Sequence, residues 1–445
     1  MSTTVDAWVT ILVVGIGAIF ALHHRRNALG QALNEPPILS YLIPFVGHAL
    51  WYRRRSIEVY NATRGPITEP IAKFSLTLMG QRIYIVTASK DVSVVYLSKS
   101  LLFTLLVLYG PGSMFDISKD GRDMIAYDYD GPHSSLTYQR GRQNQCIPRG
   151  MKVLLHDWAR TILGTASTIV MMGPPILEEE PNLLDYNWQF NADVWTSSFE
   201  RVYRDSKTKQ KDVIWWVEAL PRMMAEAGTT AAHDISAGTF TIWNALQANS
   251  NPASFWLLLQ IATFPGLADR IRKSITTTFD SNEKVVDVEL LVNDPLLRST
   301  FNETLRTFSS SMCTRLVMED TIISDYNFRK GAAVKCPIRP QHWDADIWGP
   351  DVEEFVPDRS IREPANGLIR GDAKLVRPFG GGVSLCPGRF FASYEVLSFV
   401  GALLFKYDIK LAEGANVPRP DLNAPTLGIS SPLNDVEVII IKRFK

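Results

Sequence analysis

The pattern of apolar positions changes period several times along the chain. From Ala7 to Leu22 (AWVTILVVGIGAIFAL) only Thr10 interrupts the apolar run. As a helix this stretch would reach roughly 24 Å, slightly less than a ~30 Å hydrocarbon core. His23, His24, Arg25 and Arg26 follow at once, and the α-amino group is the only positive charge before the run. Positive residues on the C-terminal flank keep that side in the cytoplasm. A cleaved signal peptide would need positive residues before the run and a small-residue cleavage site after it. A membrane anchor is therefore the favoured reading, ahead of a cleaved signal or a buried core helix. The chain divides into an anchor (residues 1–26), a proline-containing linker (27–48, with Pro36, Pro37, Pro44 and Gly47) and a body (49–445).

Within the body, Phe74, Leu76 and Leu78 alternate with polar residues over Lys73–Met79, and Arg82–Thr87 continues after Gly80-Gln81. Period two around a glycine predicts a β-hairpin. Residues 89–98 read as a helix, and 101–126 give no clear period. From about 150 to 310 the pattern is mainly helical, broken at Gly173-Pro174-Pro175 and Asn251-Pro252. Asp294-Pro295 supplies an N-cap and a first-turn proline, with Leu297, Phe301 and Leu305 as the apolar stripe behind it. Prolines and glycines crowd 318–378. A last helix runs from about Arg389 to Phe405, and a strand at Val436–Ile441 closes the chain. The pattern predicts one helix-rich body with minor sheets.

Charge narrows the field. The 46 Lys+Arg balance 46 Asp+Glu, and no basic run stands out, which argues against a nucleic-acid binder. Four cysteines, Cys146, Cys313, Cys336 and Cys386, are widely spaced with no CxxC pair, so reduced thiols facing the cytosol fit better than a disulfide scaffold.

The chemistry concentrates at Phe379-Gly-Gly-Gly-Val-Ser-Leu-Cys386-Pro-Gly388-Arg389. The glycines let the backbone run close to a flat ligand. Cys386 falls just before an apolar helix, so amide N–H groups and the helix terminus would favour its thiolate. A thiolate with no cysteine partner for zinc or an iron–sulfur cluster suggests a single axial bond to haem iron. The pattern Phe379-x-x-Gly382-x-x-x-Cys386-x-Gly388 resembles the haem-binding signature of the cytochrome P450 superfamily. The resemblance implies a mainly α fold with small β-sheets (α+β), the P450 fold behind an N-terminal transmembrane helix. It implies haem b with Cys386 as the iron ligand, and Phe379, Gly380, Gly382 and Gly388 shaping the loop around it. Many members carry Arg or His two residues before the cysteine for a haem propionate; Ser384 stands there instead. Arg315 resembles the family's propionate-binding arginine, and Arg377 is a weaker second.

Further elements follow the same resemblance. Glu303 and Arg306, three apart, would by themselves be an ordinary solvated pair. With Phe355-Val-Pro357-Asp-Arg359 downstream they resemble the family's structural Glu–Arg–Arg triad; Trp343-Asp-Ala-Asp346-Ile-Trp348-Gly-Pro between them also looks like the family. The segment Ala248-Asn249-Ser250-Asn251-Pro252-Ala253-Ser254-Phe255-Trp256 resembles the oxygen-side helix of the branch holding sterol 7α-hydroxylases and prostacyclin synthase. Ala227-Gly228-Thr229-Thr230 lies too far upstream of Glu303 to serve. Pro252 would free the carbonyl of Ala248 and open a groove, where Asn249 or Asn251 could hold oxygen or water. Alternatively Asn251 caps a new helix that begins at Pro252.

By the same analogy, substrate contacts would fall in 101–116, 165–225, the oxygen-side helix and the turn Gly428–Pro432. The body is some tens of residues shorter than usual, mostly between 150 and 240. The resemblance implies a monooxygenase of the type found in fungal secondary metabolism. It would insert one oxygen atom of O2 into a hydrophobic small molecule such as a terpenoid or sterol. Electrons would come from NADPH-cytochrome P450 reductase, with the anchor in the endoplasmic reticulum membrane. A haem-thiolate isomerase or dehydratase rearranging a peroxide or epoxide, and a haem-binding but inactive membrane protein, stand as alternatives.

Overall fold

A computed structural model describes residues 34–39, 47–49, 52, 73–102, 150–172, 175–188, 222, 226, 232–281, 283–361, 376–422 and 428–443. The apolar run Ala7–Leu22, most of the linker, residues 103–149 with Cys146, and Ala227–Thr230 lie outside the described residues. Among the described residues no helix is long and apolar enough to cross a membrane.

In chain order the strands are β1 (Lys73–Leu78), β2 (Gln81–Val86), β3 (Leu101–Leu102), β4 (Met151–Leu154), β5 (Met312–Val317), β6 (Thr321–Ile323), β7 (Tyr326–Phe328), β8 (Ala333–Pro337), β9 (Tyr407–Leu411) and β10 (Glu437–Lys442). The principal helices are α1 (Ser89–Leu97), α2 (Leu155–Met172), α3 (Ala232–Thr263), α4 (Leu267–Ile275), α5 (Val288–Val292), α6 (Pro295–Phe308) and α7 (Arg389–Lys406). They fall into two compact units. The fold is thus mixed helix and sheet, as the α+β reading expects.

The first unit takes the described residues up to 102 together with Ser310–Asp344 and Gly380–Leu385. Its sheet runs in the order β1-β2-β8-β5-β3. The predicted hairpin is there, in the register Lys73↔Val86 to Leu78↔Gln81. Its turn residues Met79 and Gly80 both have positive φ (48° and 78°), the primed geometry that matches strand twist. The sheet and α1 enclose Tyr84, Val92, Val95, Phe328 and Val334.

The second unit contains α2 to α7 and the sheet β4-β10-β9. α6 starts as its sequence dictates: the Asp294 side chain accepts the Leu297 N–H at 2.8 Å and Pro295 opens the first turn. Leu297, Phe301 and Leu305 face a core shared with Val396, Leu397 and Val400 of α7 and Val438 and Ile440 of β10. The expected break at Asn251-Pro252 does not occur. α3 runs unbroken for 32 residues, about 48 Å, with Pro252 inside it. A mid-helix proline costs about 3 kcal/mol and removes the donor to the Ala248 carbonyl. Directly after it Phe255, Trp256, Leu257, Leu258, Leu259 and Ile261 are all fully buried. At about 1.5–3 kcal/mol for each large side chain, that burial outweighs the proline. Asn251 is therefore a mid-helix residue and not a cap.

Candidate functional site

α7 begins at Arg389, with Gly388 as its N-cap. Cys386 sits two residues before that cap, and its own N–H donates to the Phe379 carbonyl at 2.9 Å, closing the loop between them. The N–H groups of Gly388 and Arg389 are directed at the sulfur, and the Arg389 charge favours its ionised form. Crowding by the chain nevertheless outweighs them and pushes the Cys386 thiol up, contrary to the sequence expectation of a depressed thiol. The residue as a whole is exposed. The exposure matters more for chemistry, since an accessible sulfur can be ligated and a bound metal ion would deprotonate it outright. Among the described residues no group of three His, Cys, Asp or Glu side chains could hold a metal ion. Phe390 on α7 is also exposed, an apolar side chain suited to a flat hydrophobic group. A Cβ at Gly388 would lie 3.7 Å from the sulfur and 3.8 Å from Leu246 of α3, an ordinary contact. These residues fit a haem bound through one thiolate.

In the first unit, Gly380–Leu385 form a tight turn against α1. Gly382 has φ +61°, and a Cβ there would meet the Tyr96 carbonyl oxygen at 1.9 Å, so only glycine fits. Gly380 has φ +77°. Arg315 on β5 is 1% exposed; its guanidinium donates to the Ser384 hydroxyl and lies over the Tyr96 ring at 5.4 Å. Ser384, the departure from the family pattern, is thus the hydrogen-bond partner of the cation expected to replace it. Arg377 is half-buried in the other unit.

The triad is assembled in the second unit. Glu303 is 2% exposed and accepts from Arg306 Nε and Nη2, both at 2.8 Å, and from Arg359 Nε at 3.1 Å to each oxygen. The Val356 N–H completes it at 2.9 Å. The guanidinium groups spend other donors on backbone carbonyls, Arg306 on Val352 and Glu354, Arg359 on Trp348, Asp351 and Glu354, and Arg359 also donates to the Asp351 carboxylate at 3.0 Å. Every lone pair and donor that is buried has a partner, which lets an ion cluster exist here at all.

On α3 the two candidate asparagines part company. Asn249 is half-buried, and its Oδ1 accepts the Ile429 N–H at 3.3 Å, joining the oxygen-side segment to the Gly428–Pro432 turn. Ala245 and Ala248 near it are exposed. Asn251 is 2% exposed and donates to Gln247 at 3.4 Å. It belongs to a buried polar stripe, Gln247, Ser250, Asn251 and Ser254, spaced i, i+3, i+4, i+7. Glu395 of α7 meets that stripe and accepts from Ser167 of α2. Sequence reading missed Glu395. The signal was available: it is the lone acid in a largely apolar 18-residue helix.

Comparison with known proteins decides what this site belongs to. A family model described as Cytochrome P450 matches residues 167–438. The chain belongs to the cytochrome P450 family. A cytochrome P450 monooxygenase of Gibberella zeae is 25% identical, with 93% of this chain and 90% of the relative covered. The cholesterol 7-alpha-monooxygenase of Cricetulus griseus is 32% identical over 44% of this chain and 42% of its own. Among solved structures, the retinoic acid bound cyanobacterial CYP120A1 superposes with a TM-score of 0.68 at 15% identity, covering 92% of this chain and all of that one; at that identity the likeness speaks for the fold. The chain is a P450 monooxygenase, and its fold and family imply a haem held by a cysteine thiolate.

Proposed function

We propose that this P450 inserts one oxygen atom of O2 into a hydrophobic small molecule, of terpenoid, sterol-like or similar secondary-metabolite class. Electrons would come from an NADPH-dependent reductase. The observation that carries the reading is the exposed Cys386 with the Gly388 and Arg389 amides aimed at its sulfur. Cys386 would hold haem through its thiolate, and Arg315 would supply the cation for a propionate. When bound, haem supplies the activation of O2. The chain's own contribution is to present an accessible Cys386 sulfur with the Gly388 and Arg389 amides directed at it, and to present the Asn249–Ile429 junction to substrate. Cys386→Ser removes the thiolate. The test is the spectrum of the reduced protein with carbon monoxide: the strongly red-shifted thiolate band is expected in the wild type and absent in Cys386→Ser. A wild-type spectrum without that shift would overturn the assignment.

A second reading has one supporting observation. α3 carries amides, Asn249 and Asn251, with Asp234 in its first turn as its only acid. An isomerase or dehydratase acting on a peroxide or epoxide needs no proton-relaying acid on this helix, and turnover of a lipid hydroperoxide without reductase would reveal it. The apolar run Ala7–Leu22 supports a single anchor in the endoplasmic reticulum membrane with the body cytosolic. Protease accessibility of the body in sealed microsomes tests that placement.

A further inference from the structure

In the first unit, two thiols face each other across the sheet. Cys313 of β5 and Cys336 of β8 stand directly opposite in the antiparallel register. The Ile338 N–H donates to the Ser311 carbonyl and the Val317 N–H to the Ala332 carbonyl, which fixes the alternation of bonded and non-bonded pairs along the two strands. Cys313 and Cys336 fall on a hydrogen-bonded position of that alternation, where Cα atoms stand ~5.5 Å apart. Pro337, which has no N–H to give, takes the non-bonded position beside them, opposite Met312. A disulfide spans ~4.4–6.8 Å between Cα atoms, so the two sulfurs are within bonding reach. Both side chains lie in the core cluster that holds Tyr96 of α1; Cys313 is 7% exposed and Cys336 fully buried.

We propose that Cys313 and Cys336 are an oxidation site, closed to a reversible disulfide by a peroxide, and that closure loosens the Gly380–Leu385 turn ahead of Cys386. With hydrogen peroxide, the Cys313 thiolate attacks one oxygen: an S–O bond forms, the O–O bond breaks, and the departing hydroxide takes the proton that Cys313 gave up. Cys313 is then a sulfenic acid, oxidised by two electrons. The Cys336 sulfur attacks the Cys313 sulfur, the S–S bond forms, the S–O bond breaks, and hydroxide leaves with the Cys336 proton as water. Two thiols and one peroxide thus give one disulfide and two waters. Enclosure keeps bulky disulfide reagents out, and Cys336 is placed to resolve the sulfenic acid before a second oxidant arrives.

The surroundings choose Cys313 as the attacking sulfur. Hydrogen bonding from the Cys336 thiol holds Cys313 below the usual thiol range, against burial, with the Arg315 charge and the Tyr96 hydroxyl adding to it. The thiolate is the nucleophilic form. Tyr96 and Arg315 also carry the change outward. Arg315 lies over the Tyr96 ring and donates to the Ser384 hydroxyl. A Cβ on Gly381 would meet that ring at 3.1 Å, and one on Gly382 the Tyr96 carbonyl oxygen at 1.9 Å, so the turn has no slack against Tyr96. Closing the disulfide draws the two Cβ atoms from ~5.5 Å, usual for facing residues, to ~3.8 Å. It also replaces the acidic thiol that Arg315 and the Tyr96 hydroxyl face with a neutral group. Disulfide formation is independent of haem; its effect on haem rests on the haem-thiolate reading.

The experiment treats the full haem-loaded chain with hydrogen peroxide, unfolds it in N-ethylmaleimide and maps its peptides by mass without reduction. A linked pair of peptides carrying Cys313 and Cys336 is expected, two hydrogens lighter than the separate thiols and split again by dithiothreitol. The second readout is the rate of ferric haem transfer to apomyoglobin. Oxidation raises it by about tenfold, the size of an outer-shell effect, and dithiothreitol restores it, whereas haem destroyed by peroxide would not return. Cys313→Ala and Cys336→Ala abolish both the linkage and the reversible change. Should either variant fail to fold, the wild-type map and its reversal by dithiothreitol carry the test. A wild type that keeps both thiols, or that links them with haem release unchanged, overturns the proposal. A missing thiolate band with carbon monoxide would instead strike the haem-thiolate reading, and the peptide map would still decide the site.

Discussion

Asn249 of α3 and Ile429, 180 residues later in the chain, are joined by a hydrogen bond from the Ile429 N–H to the asparagine Oδ1 at 3.3 Å. A Cβ placed on the neighbouring Gly428 would lie 1.9 Å from that same oxygen. The glycine is there because the carboxamide occupies the space a side chain would need. Gly428→Ala will therefore drive Asn249 aside at a cost of about 1–3 kcal/mol. Asn249→Ala alone will lose about 1 kcal/mol with its hydrogen bond. The double variant will recover much of the loss, a coupling of at least about 1 kcal/mol by thermal unfolding. Additive losses would mean that the two positions act independently.

Glu303 is the sole counter-charge bonded to both the Arg306 and Arg359 guanidinium groups in the triad. Removing it takes away the carboxylate that the two buried guanidinium groups share, while Arg359 keeps its ion pair with Asp351 at 3.0 Å. Glu303→Ala will cost on the order of 3–5 kcal/mol, measured by chemical denaturation. Arg359→Lys keeps the charge and loses the fork that reaches several acceptors at once; a smaller loss, about 1–3 kcal/mol, is expected.

The Ser384 hydroxyl accepts from Arg315, which is buried over Tyr96. Ser384→Arg, which installs the residue common in the family, will set two cations against each other in this chain. The expected result is a melting temperature several degrees lower and weaker haem retention in gel filtration. An unchanged melting temperature would show that the loop repacks freely.

The buried carboxyl of Glu395 gives stability a pH dependence of definite sign. Its folded value, about 7, lies above its unfolded one of 4.5. The folded state therefore binds the proton more tightly, and this contribution is full below the unfolded value and lost as pH rises through about 7. The loss is on the order of 3 kcal/mol. Denaturation midpoints of wild type minus Glu395→Gln, followed across that window, will fall with rising pH.

Elements whose local signals agree with their burial were readable from the chain: the hairpin around Met79-Gly80, the Asp294 cap of α6, the apolar α7. Pro252 misled because its local cost is outweighed by apolar burial downstream, a tertiary effect that no window of sequence displays. The thiol of Cys386 misled in the same way. Its amides were legible from position, whereas the crowding that outweighs them comes from the folded loop. The Ser384–Arg315 bond and the Glu395–Ser167 contact span 69 and 228 residues, so only the fold brings them together.

The Glu303 cluster has a consequence for the motions of the segment it holds. Residues 349–361 form turns without a helix or strand of their own, a stretch that would ordinarily open readily and exchange its amide hydrogens fast. Here the Val352 and Glu354 carbonyls and the Val356 N–H are fastened to two side chains of α6, the Arg306 guanidinium and the Glu303 carboxylate. The segment cannot loosen without releasing Arg306 from inside the core. Its amides will therefore exchange in step with α6, so that an irregular loop shares the opening free energy of the central helices and unfolds with them as one cooperative block.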